Sequence, residues 1–469
     1  MLSQSSGYSA TERVLCLSNG HGEDVIGVRI LQALQQLPNA PKLAALPLVG
    51  EGWPYQKLGI PLIGPAKAMP SGGFIYMDGG RQLARDIRGG LLQLTLAQFR
   101  AVRQWTAQGG SILAVGDIVP LLIAYFSGAP YAFVGTAKSE YYLRDEAGNL
   151  FPHAFWEGWS GSVYYPWERW MMSRARCHAV FPRDTLTTKV LQKWSIPAFD
   201  LGNPMMDELH PRLLRSPIPT APVPMVSRNW DSTLENSARG SLPVAEIQEP
   251  PHSRQDLLKV LLLPGSRIPE AYENWKLILQ AVDNLINHFP NHSLGFVSAI
   301  SPNLNLETFM YALVEQGWQV HEHPPQTKDP LLNCFSTVRA HWLTRQQVTL
   351  VLTQEAYADS LHWADWAIAM AGTATEQFVG LGKPAIIFPG KGPQFTQKFA
   401  EAQTRLLGES VVLVTKPSQA AIAIHDLVQN PERLQRIAEN GRWRMGEPGA
   451  AQRIAECLMQ QLNVQQHTY

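Results

Sequence analysis

Twice along this chain, short runs of β-branched and aliphatic residues alternate with longer amphipathic segments, and no other feature narrows the possible folds so far. The first series places strands at 14–18, 43–49, 112–115, 131–134, 179–181 and 198–201, with helical periodicity over 23–36, 81–108 and 184–194. The second places strands at 260–263, 294–298, 349–352, 366–370, 385–388 and 411–414, with helices at 271–288, 306–316, 375–381, 395–407 and 419–428. A last helical stretch covers 431–462 and is interrupted near 446–449. Parallel neighbours need a crossover that a helix supplies, so the alternation predicts α/β units with doubly wound parallel sheets. Residues 211–257 carry eight prolines and no periodic apolar face, which predicts a linker or surface excursion. The expected organisation is two Rossmann-like domains, 1–210 and 258–469, with strand C-termini facing a shared cleft and the last helix free to pack back on the first domain.

The stretch 112–135 is apolar enough to resemble a membrane span, but Asp117, Pro120, Gly128 and Pro130 divide it into strand, turn, short helix and strand. Lysine plus arginine (39) balances aspartate plus glutamate (39), and each series is itself near neutral, so nucleic acid is excluded as the main partner. Cys16, Cys177, Cys334 and Cys457 form no paired motif, and the N-terminus lacks a basic start and apolar core. A reducing cytoplasm is the expected compartment.

Four strand-to-helix junctions carry the candidate chemistry. The first strand runs into Ser18-Asn19-Gly20-His21-Gly22-Glu23-Asp24. Gly20 and Gly22 permit close backbone approach, the helix start offers N–H groups, and His21, Glu23 and Asp24 are expected at the cleft mouth, one of them as a general base. Helix capping by Asn19 and Asp24 accounts for the same residues without a ligand. Asp117, at the end of the strand 112–115, is a candidate to serve as or orient a base or to bind a sugar hydroxyl, and N-capping of the next helix accounts for it equally. In the second series, Gly265, Ser266 and Arg267 offer backbone N–H groups, a hydroxyl and a forked cation to a diphosphate. Gly372, Thr373, Ala374 and Thr375 form a small-residue helix start suited to phosphate, with Glu376 one turn in and placed for a ribose. Thr373 with Glu376 also spells a capping box. Gln394 and Gln397 open another helix and are candidates for sugar hydroxyls. No DxD pattern offers a divalent metal site, so no metal is expected. GxSxG, HExxH and P-loop motifs are also missing, which leaves hydrolase and nucleotidase readings unsupported.

The segments LLLPGSR (261–267), MAGTATEQFVGLGKPAIIFPGKG (370–392) and GNPMMDEL (202–209) resemble the GT-B glycosyltransferases, most closely the bacterial lipid-A-disaccharide synthase family and its related group. NGHGEDVIG (19–27) is similar to that family's glycine-rich acidic start, but has His21 where a small or acidic residue is more usual. The resemblance implies an inverting hexosyltransferase with a UDP-sugar donor. Gly265, Ser266, Arg267, Gly372, Thr373, Ala374 and Thr375 would hold phosphate and Glu376 the ribose, with Asp117 and loop 21–24 on the acceptor side.

Only 17% of residues are charged, against roughly 25% in typical domains, while 14 are tryptophan. Much of that excess lies in 151–176, where Phe, Tyr and Trp interleave with Arg169, Arg174 and Arg176. This belt and the loop 69–77 are expected to meet a lipid acceptor or the inner face of the plasma membrane. The alternatives for the belt are an ordinary core or a sugar pocket. Two other functions stay open from sequence: a UDP-sugar epimerase on the same fold, and a non-catalytic nucleotide-sugar or lipid binder.

Overall fold

The computed structural model describes residues 13–67, 91–145, 147–151, 159–214, 257–327 and 329–466. The loop 69–77, residues 152–158 of the aromatic belt and most of the proline-rich linker lie outside the described residues, as does the side chain of His21.

The first sheet holds β1 (Arg13–Ser18), β2 (Lys42–Pro47), β3 (Ser111–Gly116), β4 (Tyr131–Gly135) and β5 (Cys177–Phe181), all parallel, in the order β2-β1-β3-β4-β5. Side chains alternate across a strand, so Val14 and Cys16 enter one core cluster and Leu15 and Leu17 the other. Both faces are covered, which is why the sequence of β1 is continuously apolar. The stretch 112–135 divides into β3, the helix Ile118–Ser127 and β4. No described helix is long and apolar enough to cross a membrane. The predicted strand at 198–201 shrinks to one bridge between Ala198 and Val180. The preceding Pro197 has no N–H to extend the ladder.

The second sheet runs β13-β12-β11-β6-β7-β10-β9-β8. Its parallel part comprises β6 (Leu257–Leu263), β7 (Ser293–Ala299), β10 (Val348–Thr353), β11 (Trp366–Ala369), β12 (Ala385–Ile387) and β13 (Val411–Leu413). Strands β8 (Gln319–His321) and β9 (Ala340–Arg345) extend it antiparallel and were not expected. The β9–β10 hairpin turns through Gln346 and Gln347, with Gln346 at φ 57°, where glycine or asparagine is the usual signal.

Strand order reverses between β1 and β3 in the first sheet and between β6 and β11 in the second. At such a switch point the following loops diverge and leave a crevice at the strand C-termini. The junctions singled out above after β1, β3, β6 and β11 are the four that border these two crevices.

Two of the contacts that tie the halves together bury apolar surface. Tyr141 of the first half is buried in the second half's core cluster, with the Arg444 guanidinium 3.6 Å from its ring centre. In return the helix Ala450–Gln466 buries Ala451, Ile454, Ala455, Leu458 and Met459 with Val14, Ile26 and Ile30 of the first half. Asp207 anchors its start, accepting from the N–H groups of Gly449 (2.5 Å), Ala450 (3.1 Å) and Ala451 (2.7 Å).

Candidate active site

At the first crevice, Gly20 (φ 141°) turns β1 directly into the helix His21–Gln35, as a residue with a Cβ rarely does. No side chain caps this helix, so the capping role weighed for Asn19 and Asp24 is not realised. Asp24 is not at the cleft mouth either. It is buried beneath the loop, accepting a 2.5 Å hydrogen bond from Ser18 Oγ, which in turn accepts from the Tyr55 hydroxyl at 2.8 Å. Burial pushes the Asp24 carboxyl up to about 7.

Glu23 and Asp117 remain at the edge, both half-buried. Gly116 (φ 135°) brings their loops together: a Cβ there would stand 3.3 Å from Glu23 Cγ and 3.2 Å from Asn19 Cβ. Glu23 Oε1 accepts from Thr136 Oγ1 at 3.3 Å. Asp117 does cap its helix, accepting from Val119 N–H at 2.9 Å. Capping is not its whole character, because desolvation raises its pKa to about 6, reinforced by Glu23 and Glu168 and opposed by Lys138. Lys138 Nζ bonds the buried Glu168 at 2.6 Å and lies 4.6 Å from the centre of the Tyr165 ring. Three carboxylates and one ammonium therefore gather at the ends of β1, β3 and β4.

Across from them, the loops after β6 and β11 touch. A Cβ on Gly265 (φ 95°) would come within 3.1 Å of the Met370 carbonyl oxygen. Asn274 Nδ2 donates to Pro264 O (3.1 Å) and Met370 O (3.4 Å), tying the two loops to one helix. Ser266 is exposed and Arg267 half-buried. Desolvation lowers the Arg267 pKa, while Glu270 and Glu23 raise it, so Arg267 senses a carboxylate of the opposite half.

The helix after β11 starts at Thr373, two residues earlier than expected, with Gly372 as N-cap and no side-chain cap. The capping box of Thr373 and Glu376 does not form: Thr375 Oγ1 donates to Ala371 O at 2.5 Å, and Glu376 turns elsewhere. Thr373 is exposed and Ala374 half-buried at this uncapped start, where N–H groups and the helix dipole favour an anion. Glu376 Oε2 instead accepts from Arg183 Nη2 at 2.8 Å, and Arg183 Nη1 donates to Thr136 O at 3.1 Å. The two side chains are 5% and 10% exposed. Stripping one partner from a pair this buried costs about 3–5 kcal/mol.

Glu270 accepts from the N–H groups of Phe395 (2.7 Å) and Gln394 (3.2 Å), fixing the loop that carries Gln394. Gln397 is exposed and donates to Glu401 within its own helix at 2.8 Å, so its side chain serves that helix. Sequence reasoning passed over Thr136, Lys138, Glu168 and Arg183. Arg183 had a usable signal, standing two residues after the 179–181 strand at the same sheet edge.

The described part of the aromatic belt is mostly surface. Trp159 is 61% exposed and Trp167 50%, and both stack with Tyr165, with centroids 6.5 and 4.8 Å away. Trp170, Trp194 and Phe126 are also exposed, and Arg169 lies 3.9 Å from the Trp194 ring centre, Arg174 4.8 Å from that of Trp170. Tyr164 is the exception, buried against Phe133.

No protein-family model and no curated protein sequence matches the chain. Solved structures do. A putative UDP-N-acetylglucosamine 2-epimerase from Listeria monocytogenes aligns over 97% of both chains at 13% identity and a TM-score of 0.53. CalG4, the calicheamicin glycosyltransferase, aligns over 97% of this chain and 99% of its own, at 13% identity and a TM-score of 0.54. The UDP-GlcNAc 2-epimerase of Neisseria meningitidis, solved with UDP-GlcNAc, covers 96% of this chain and 100% of its own at 14% identity and a TM-score of 0.50. The fold is GT-B, with two Rossmann-like domains.

Proposed function

We propose that this chain is an inverting, metal-independent GT-B hexosyltransferase of the lipid-A-disaccharide-synthase-like kind. It would move a sugar from a UDP-sugar to a lipid or amphiphilic acceptor at the cytoplasmic membrane face. One observation carries the reading: an uncapped helix start with Arg267 on one side of the cleft, opposite a half-buried Asp117 with a raised pKa on the other. An acceptor hydroxyl attacks the anomeric carbon while the bond from that carbon to the diphosphate oxygen breaks. The hydroxyl proton passes to Asp117 or His21, and the bonding electrons leave with UDP. Arg267, Ser266 and the N–H groups after Gly372 take up the charge on the departing diphosphate, in place of a metal. Glu376 would receive the ribose hydroxyls, and Gln394, whose loop Glu270 fixes, would be the glutamine for the sugar.

A second reading, UDP-sugar epimerase, is favoured by the grouping of Glu23, Asp117 and Glu168, since epimerisation needs carboxylates aimed at the sugar ring. Incubation with a panel of UDP-sugars, with and without membrane lipid extract, separates the possibilities. Lipid-dependent UDP release is the expected result. Sugar interconversion without lipid would replace transfer by epimerisation, and saturable binding without turnover would leave only a binding protein.

The exposed Trp159, Trp167 and Trp170, with the exposed Arg174 beside Trp170, support contact with an anionic lipid surface, whereas Arg169 is buried against Trp194. Trp167→Glu with Trp170→Glu is expected to lower co-sedimentation with phosphatidylglycerol vesicles by about tenfold or more. Unchanged sedimentation would remove the belt from the membrane reading.

A further inference from the structure

Glu376 sits on the nucleotide side of the cleft, yet its buried partner comes from the opposite half. Arg183 follows β5, its guanidinium is fixed at one end by Thr136 O, and the other end holds Glu376 Oε2. A ribose hydroxyl is a poor replacement for such a partner, because displacement would strand a guanidinium and a carboxylate in a site nearly closed to water. Sharing is the alternative. A carboxylate has two oxygens and about four acceptor positions. Among the described residues Oε1 accepts no hydrogen bond.

We infer that Arg183 is a positioning residue of the donor site: it orients the Glu376 carboxylate for the ribose, so that nucleotide recognition is completed by the half of the molecule that does not bind the diphosphate. This rests on the nucleotide reading given above. It ties ribose selectivity to cleft closure, since the carboxylate is held only when the ends of β4 and β5 stand over the Thr373 helix. Tyr141, wedged in the second core nearby in sequence to β4, holds the halves in that arrangement.

The test is calorimetric titration of the full chain with UDP and with 2′,3′-dideoxy-UDP. In the wild type UDP is expected to bind tighter than the dideoxy compound. Arg183→Met is expected to weaken UDP binding about tenfold and the dideoxy compound less than about twofold, with partial recovery in Arg183→Lys. In a Glu376→Gln background the same Arg183→Met change should add no further loss. That comparison also removes both charges together, so it stays readable if the single variant does not fold. Equal losses for both nucleotides, no loss for UDP, or additive losses in the Glu376→Gln background would overturn the positioning role. Failure of the wild type to bind UDP at all would instead overturn the nucleotide reading on which it stands.

Discussion

Asp117→Asn is expected to lower turnover by about 10²–10⁴-fold while UDP affinity stays within about twofold. Asparagine is as good an N-cap as aspartate, so the helix Ile118–Ser127 keeps its Val119 contact and the fold is undisturbed. What disappears is a group able to take a proton near neutral pH. The sign of the accompanying pH effect follows from the direction of the shift. A base works ionised, and burial beside Glu23 and Glu168 holds Asp117 protonated up to about pH 6. Wild-type turnover should therefore fall about tenfold per unit as pH drops below that value, and the residual activity of the asparagine variant should lack this limb. Near-normal turnover in Asp117→Asn would pass the role of base to His21.

A large stability effect is expected at Asp207. Its carboxylate accepts three consecutive backbone N–H groups at the start of the terminal helix, two of them within 2.7 Å. Truncation to alanine leaves those donors poorly satisfied, two of the three residues being buried, and removes a negative charge from the positive end of a helix dipole. A loss of about 2–4 kcal/mol in urea unfolding is expected, well above an ordinary surface cap. Because the same helix covers Ile26 and Ile30, unfolding should expose that face of the first sheet and raise dye binding before global loss of helix. A change below about 0.5 kcal/mol would show that the helix is held by its apolar face alone.

Most of the fold was legible because its signals are local. Fully buried parallel strands such as β1 and β6 read as unbroken apolar runs, and the glycines at 20 and 265 mark turns that demand positive φ. Strands β8 and β9 were not legible: one is three residues long, and the β9–β10 turn lacks glycine. The site divided along the same line. The loops after β6 and β11 announce themselves in consecutive residues, whereas the partners of Glu376 and Asp117 are set by long-range contacts. Arg183 stands 193 residues from Glu376, and Lys138 meets Glu168 only after the chain folds back through the aromatic belt. Asp24 misled for the converse reason. Its position in a loop motif implied exposure, but the side chain on that turn of helix faces Ser18 and the core.

The returning terminal helix also sets a timetable for biosynthesis. Strands β1 to β5 have all been made by residue 181, but Ala451, Ile454, Leu458 and Met459, which close one face of their sheet, come more than 250 residues later. At roughly 5–20 residues per second the nascent first half waits on the order of tens of seconds with an oily face open to solvent. Chaperone occupancy on the ribosome should peak in that interval and end with the emergence of residues 450–466. A ribosome stalled before that point would present an aggregation-prone chain, although every strand of its sheet is complete.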